Sequence, residues 1–354
     1  MTVLLLQCLV PLYIYVLLGF YAGRVLKIDR QQVARLVIYL IAPLMFLGSV
    51  SIAPLDIRYL LLPVVTFFLA VVMSGLMFFL SGKVCPDARR YLITSASGTG
   101  NTGYFGVPVF LSFAQPESLG VYMLAMLGFT FFEASIGYYL IARGNYSVRD
   151  SVRRLFTLPT LYAVGLGLLV NASGVGIPAW MLTGLEQIRG AYVVLGMMLV
   201  GVGLSAVRRL QVDVPFTSML LLMRFIFWPL LVMGVLVFDS IFLGFFDSLG
   251  RTVLWVLAIV PLAANTVAFA SEMNLHPEKT ATAVVISTVL AVFTVPLIAP
   301  LLFWAPLLTS FLGRLASSGL CSQSARTFEY AYVCSHIPSE PLIPINGLIE
   351  VPFF

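Results

Sequence analysis

Charged side chains are scarce in this chain. Lys, Arg, Asp and Glu make up 10% of its 354 residues, where a soluble domain carries roughly 25%. Too little polar surface is available to coat a water-exposed fold, which excludes an ordinary soluble globular domain. Histidine is rarer still: there are two, His276 in a predicted loop and His336 in the C-terminal tail. A histidine-based metalloprotease motif is therefore absent. An Asp-rich metal–diphosphate site and a phosphate-binding glycine loop ending in Lys-Ser/Thr are absent too. An enzyme, a resident metal and a cofactor are accordingly not expected. The four cysteines (Cys8 in the first apolar run, Cys85 in a loop, Cys321 and Cys334 in the tail) fit neither a disulfide framework nor zinc-ligand spacing. No basic residues precede the first apolar run, so it is expected to remain a membrane segment rather than a cleaved signal.

What the chain has in abundance is apolar length. Hydrophobic residues account for 60% of it and the mean hydropathy is +1.02. Runs of about 20 apolar residues, long enough to cross a hydrocarbon core of roughly 30 Å, recur from end to end. They predict spans near 3–23, 33–52, 59–81, 91–113, 119–141, 155–171, 190–207, 215–238, 253–273 and 281–307. The runs are continuous rather than alternating, which argues against a β-barrel. Helices, which satisfy their own backbone groups, are what remains for a membrane-spanning chain.

The net charge of +5 sits in short clusters between apolar runs and not along one face, so nucleic acid is not an expected partner. Alternate loops carry it. One set holds Arg24, Lys27, Arg30 and Arg35; Lys83, Arg89 and Arg90; Arg143, Arg149, Arg153 and Arg154; Arg208 and Arg209; and Lys279. The opposite set holds only Arg58, Arg189 and Arg251. The positive-inside rule places the first set in the cytoplasm and the N-terminus outside.

The two halves resemble each other. In the first, Arg90 opens a run interrupted at Gly98–Pro108 and followed by Pro116-Glu117. In the second, Arg251 opens a run interrupted at Pro261–Asn265 and followed by Pro277-Glu278. An odd number of spans per half inserts the second upside down, an arrangement common among secondary transporters. The expected fold is an all-α membrane protein of about ten transmembrane helices in two inverted five-helix repeats, with broken, crossing fourth and ninth helices. Its expected divisions are 1–141, a short linker 142–154, 155–310, and a poorly ordered polar tail 311–354. Pro178–Glu186 reads as a separate short amphipathic helix.

The interruptions are where chemistry is expected. Glycine costs roughly 1 kcal/mol and proline about 3 kcal/mol in a helix interior. Freed backbone groups at membrane depth are tolerated where they are buried in protein or face a wet cavity. Gly100, Asn101, Thr102, Gly103 and Pro108 in the fourth span, with Pro261, Asn265 and Thr266 in the ninth, form the candidate substrate site. Half-helix N-termini there would offer N–H groups to an anion, and two neutral asparagines could grip a carboxylate. The competing reading is that the glycines serve packing and the asparagines bond freed carbonyls. Glu133 and Arg224 also fall within predicted spans, where charge costs at least about 2.5–3.5 kcal/mol and is expected to face protein or water. Glu133 reads as a protonatable coupling group and Arg224 as a fixed cation or its partner in coupling; the competing reading is a structural ion pair, or an arginine snorkelling towards an interface.

The GNTGYFGVP run of residues 100–108 resembles the Gly-Asn-x-Gly-x-x-Gly-x-Pro segment of the auxin efflux carrier family. The stretch from Pro261 through Asn265, Glu272, Pro277-Glu278 and Thr288 to Pro296 is similar to that family's ninth and tenth spans, and Ile38–Pro43 to its second. The resemblance, covering roughly residues 1–310, implies a scaffold of the first, second, sixth and seventh helices and a moving transport domain. It further implies carboxylate binding where the broken helices cross, involving Asn101, Pro108, Pro261 and Asn265, with auxin or dicarboxylates as substrates. The short link at 142–154 makes the chain look like a bacterial inner-membrane permease rather than a plant member. Expected partners are a small organic anion, the lipid bilayer and a second copy of the chain. A sodium-coupled organic anion symporter of the bile acid type, which shares broken crossing helices, is the alternative.

Overall fold

Every regular element among the described residues is a helix, as backbone groups in lipid require. The computed structural model describes residues 2–141, 159–205, 211–272 and 275–299, all within the compact unit Met1–Thr309. In chain order the helices are α1 (Thr2–Arg24), α2 (Gln31–Ser51), α3 (Ile57–Val84), α4 (Arg89–Ser97), α5 (Gly106–Leu111) and α6 (Pro116–Ile141). There follow α7 (Pro159–Ala172), α8 (Ala179–Ser205), α9 (Val214–Leu243), α10 (Ser248–Ile259), α11 (Asn265–Glu272) and α12 (Pro277–Ile298). Six of them, α2, α3, α6, α8, α9 and α12, are long and apolar enough to cross a membrane. The predicted linker 142–154 and tail 311–354 lie outside the described residues.

One expectation needs correcting. Pro178–Glu186 is not a separate surface helix, and the helix predicted from 190 begins eleven residues sooner, because α8 runs unbroken over Ala179–Ser205. Nothing between Leu185 and Tyr192 stops it. Single glycines are tolerated inside helices, and Arg189 lies 3.7 Å from Glu186 on the same face, a pairing that favours helix.

Small residues set the closest approaches. α1 packs along α8, and a Cβ on Gly19 would fall 2.1 Å from the Met198 carbonyl oxygen, one on Gly201 2.0 Å from that of Val16. α2 packs on α7, where Asn171 Nδ2 donates to Val50 O at 2.8 Å and Ala53 O at 2.6 Å. α3 packs on α4 and α6, while α9 packs on α4, α10 and α12. Outside the apolar spans, Asp213 starts α9 by accepting from Phe216 N at 3.2 Å. Its other oxygen takes Arg89 Nη1 and Lys279 Nζ, both at 2.7 Å. The starts of α4, α9 and α12 are thereby clasped together. Burial alone would raise the Asp213 carboxyl, but the hydrogen bonds from Lys279 and Arg89 outweigh it and hold it down at about 2.

Three of the long helices contain π turns: Val37–Ile41 in α2, Glu133–Gly137 in α6, and Met223–Phe227 with Asp239–Leu243 in α9. A π turn inserts an extra residue and re-aims the side chains around it, often at functional sites. Both charged residues singled out from the sequence, Glu133 and Arg224, stand in such turns.

Candidate substrate site

The glycine-rich run breaks its helix as its composition requires. Helix α4 stops at Ser97, helix α5 starts at Gly106, and the residues between are non-helical. Residues 260–264 separate α10 from α11 in the same way. The two breaks touch: Asn101 N donates to Pro261 O at 2.8 Å. A backbone amide freed by one interruption thus satisfies a carbonyl freed by the other, which is how two broken helices coexist in a medium that offers no partners.

Close backbone approach explains two of the glycines. A Cβ on Gly100 would lie 2.5 Å from Arg224 Nη2, and one on Gly103 would lie 2.3 Å from the Tyr192 hydroxyl. The segment is held from the side as well, with Tyr122 donating to Thr102 O at 2.8 Å.

A cavity of about 350 Å³ opens at this contact, within the size range of small-molecule sites. Gly100, Asn101, Thr102 and Gly103 line it from one break, and Ala263, Ala264 and Asn265 from the other. The π turns contribute Ile38 and Tyr39 from α2 and Glu133 and Ala134 from α6. Aromatic rings of Phe46, Phe129 and Phe269 close the apolar wall. Glu133 is the only Asp, Glu, Lys, Arg or His among the described lining residues.

Several polar atoms here are buried without a hydrogen-bond partner among the described residues: Asn101 Nδ2, Glu133 Oε1, Thr266 Oγ1 and Arg224 Nη1. Each such group costs about 1–3 kcal/mol, so four around one crossing call for an explanation. Asn265 Nδ2 reaches Glu133 Oε2 at 3.5 Å, the outer limit of a hydrogen bond. An unsatisfied amide donor, Asn101 Nδ2, beside a cavity suits a ligand that brings acceptors.

The model of the membrane transport protein family matches residues 4–299 of the chain. The chain belongs to this family, that of the auxin efflux carrier-like transporters. An uncharacterized transporter of Methanocaldococcus jannaschii is 26% identical over 299 residues, covering 80% of this chain and 94% of the relative. The family is one of transporters and not of enzymes, and a member is an integral, multi-pass membrane protein.

Within this family member the predicted site residues separate into groups. Gly100, Asn101, Thr102, Gly103 and Asn265 face the common cavity. Pro261 lies at the crossing through its carbonyl but does not line the cavity, and neither do Pro108 and Thr266. Pro108 sits inside α5, where its carbonyl accepts from Ser112 Oγ at 3.0 Å. The half-helix N-termini are not bare donors. Gly106 N bonds Asn101 O at 3.0 Å and Val107 N bonds Gly103 O at 3.1 Å, while Thr266 N and Val267 N bond Ala263 O and Ala264 O. The donor left open on the cavity wall is therefore a side-chain amide, that of Asn101. Glu133 and Arg224 do not pair with each other: Arg224, fully buried, donates Nε to Val260 O and Nη2 to Leu257 O. Trp228, absent from the sequence-based candidates, donates Nε1 to Ser97 O at 2.7 Å. Its one legible signal was its place four residues after Arg224.

Proposed function

We propose that this chain is a secondary active transporter that carries a small organic anion, a monocarboxylate or dicarboxylate, across the membrane by an elevator-like alternating-access mechanism. The observation that carries this reading is the joined pair of breaks, with Asn101 and Asn265 presented to one cavity beside unsatisfied polar atoms. The two asparagine amides grip the carboxylate beside Gly100 and Gly103, which line the same cavity. Glu133, the ionisable group of the cavity wall, takes up a proton when the anion loads, so that two negative charges do not share an apolar pocket.

The architecture in this proposal has ten spans. Six are the long helices; α1, α7 and the interrupted pairs α4/α5 and α10/α11 supply the rest. They form two inverted repeats, with the N-terminus outside and the chain in the bacterial inner membrane. The packing supports this reading. Contacts of α1 with α8 and of α2 with α7 are exchanged by a two-fold that swaps the halves, as are those of α3 with α4 and α6 against those of α9 with α10 and α12. In this arrangement α1, α2, α7 and α8 form the scaffold, and the remaining helices carry the site.

Thermal unfolding of the purified protein across a panel of mono- and dicarboxylates should identify a stabilising acid. Reconstituted vesicles should then show saturable counterflow of that acid. Uptake that requires sodium and ignores a proton gradient favours the symporter alternative. No saturable counterflow of any carboxylate refutes the proposal.

A further inference from the structure

The crossing presents an electrostatic difficulty that the asparagines do not solve. Helices α4 and α10 both end there, and the C-terminal carbonyls of a helix carry roughly half a negative charge. Two such ends point at the place where an anion is proposed to sit. The cavity lining resumes directly beyond them, at Thr99 and at Ala263.

One helix answers both ends. In α9, Arg224 donates to Val260 O and Leu257 O at the end of α10, while Trp228 donates to Ser97 O, the last residue of α4. The two side chains lie together, the guanidinium carbon 5.4 Å from the Trp228 ring centroid. Both are fully buried. Arg224 Nη1 has no partner among the described residues, and the guanidinium lies against Gly100 where a Cβ would be. Gly100 itself lines the cavity. Nothing thicker than a glycine backbone separates this cation from the pocket.

We infer that Arg224 is the fixed counter-charge of the anion site: a positioning residue that acts from behind Gly100, cancelling the negative end of α10 and biasing the pocket towards a carboxylate. Trp228 does the neutral half of the task, capping α4 without adding charge. Arginine suits the place because its planar fork serves two carbonyls at once and stays ionised when buried. This rests on the carboxylate reading above and assigns its selectivity to a residue outside the cavity wall.

The test compares equilibrium binding of phenylacetate and malonate with that of their uncharged amides, phenylacetamide and malonamide. Wild-type protein is expected to prefer at least one acid to its amide. Arg224→Gln is expected to lose that preference by about tenfold or more, given the strength of charge interactions in a poorly screened site, while amide binding stays within about threefold. Trp228→Phe, which removes a neutral donor and no charge, is expected to weaken the preference by less than Arg224→Gln does. A glutamine variant that retains the preference, or that loses acid and amide binding equally, overturns the inference. Should that variant fail to accumulate in membranes, Arg224→Lys decides: at about pH 6, which favours the charged lysine, it must keep part of the preference, and complete loss there overturns the inference. Wild-type protein that prefers neither acid refutes the carboxylate reading itself.

Discussion

Replacing Asn101 by alanine separates a substrate ligand from a structural residue, because the two roles predict different magnitudes. The backbone bond from Asn101 N to Pro261 O survives the change. The side chain makes one internal hydrogen bond, accepting Phe105 N at a long 3.3 Å, worth at most about 1 kcal/mol. Against that, alanine removes Nδ2, a buried donor without a partner whose burial costs about 1–3 kcal/mol. The relief equals or exceeds the loss, so the unloaded variant should be no less stable than wild type and at most about 2 kcal/mol more stable. A hydrogen bond to a carboxylate is worth about 1.5–3 kcal/mol, which corresponds to about 10- to 150-fold in affinity. Asn101→Ala should therefore unfold at or above the wild-type temperature without ligand, lose ligand-dependent stabilisation, and show a KM in counterflow raised by that factor. An unchanged KM would remove Asn101 from the site. A large loss of unliganded stability would show instead that its amide holds the crossing together.

Three further outcomes follow from the same structure. Glu133→Gln should flatten the pH dependence of transport, since Glu133 is the acidic group facing Asn265 in the cavity; an unaltered pH profile in vesicles removes it from coupling. Gly128→Ala places a Cβ 2.1 Å from Thr66 Oγ1 and 2.2 Å from Pro63 O. Overpacking of that kind costs about 1–3 kcal/mol, so thermal unfolding should shift down, and an unshifted curve denies the close contact of α6 with α3. Asp213, held at about 2 by Lys279 and Arg89 against the effect of its burial, contributes stability that is complete above the ordinary aspartate range, about pH 4. That stability is lost as pH falls through about 2. Asp213→Asn should lack this acid-dependent loss, and identical acid unfolding of variant and wild type would contradict the clasp.

That the chain is a membrane transporter was legible in the sequence, because a broken membrane segment is a local property. Glycines and prolines at positions 98–108 and 261 disfavour helix wherever the chain places them, and lipid forbids loose backbone unless something else pairs with it. That reasoning reached Asn101 and Asn265. Sequence also suggested a span at each long apolar run, yet it misjudged the start of α8, where 179–189 is polar enough to resemble a surface helix but contains nothing that stops the main one. Local pattern could not tell Pro261, whose carbonyl meets Asn101, from Pro108, which lies off the cavity inside α5. Nor could it assign Arg224, which looked like a partner for Glu133 and instead caps α10, or single out Trp228, which does the same for α4.

The division has a physical cause. Breaking a helix and filling a bilayer depend on residues within a turn or two of each other, so the amino-acid order alone determined that this is a helical membrane protein with two interruptions. Which freed amide meets which freed carbonyl depends on groups 160 positions apart, as Asn101 and Pro261 are. The same holds for a cation in α9 that serves carbonyls of α10 from behind a glycine of the other break. Only the tertiary structure brings those groups to one place.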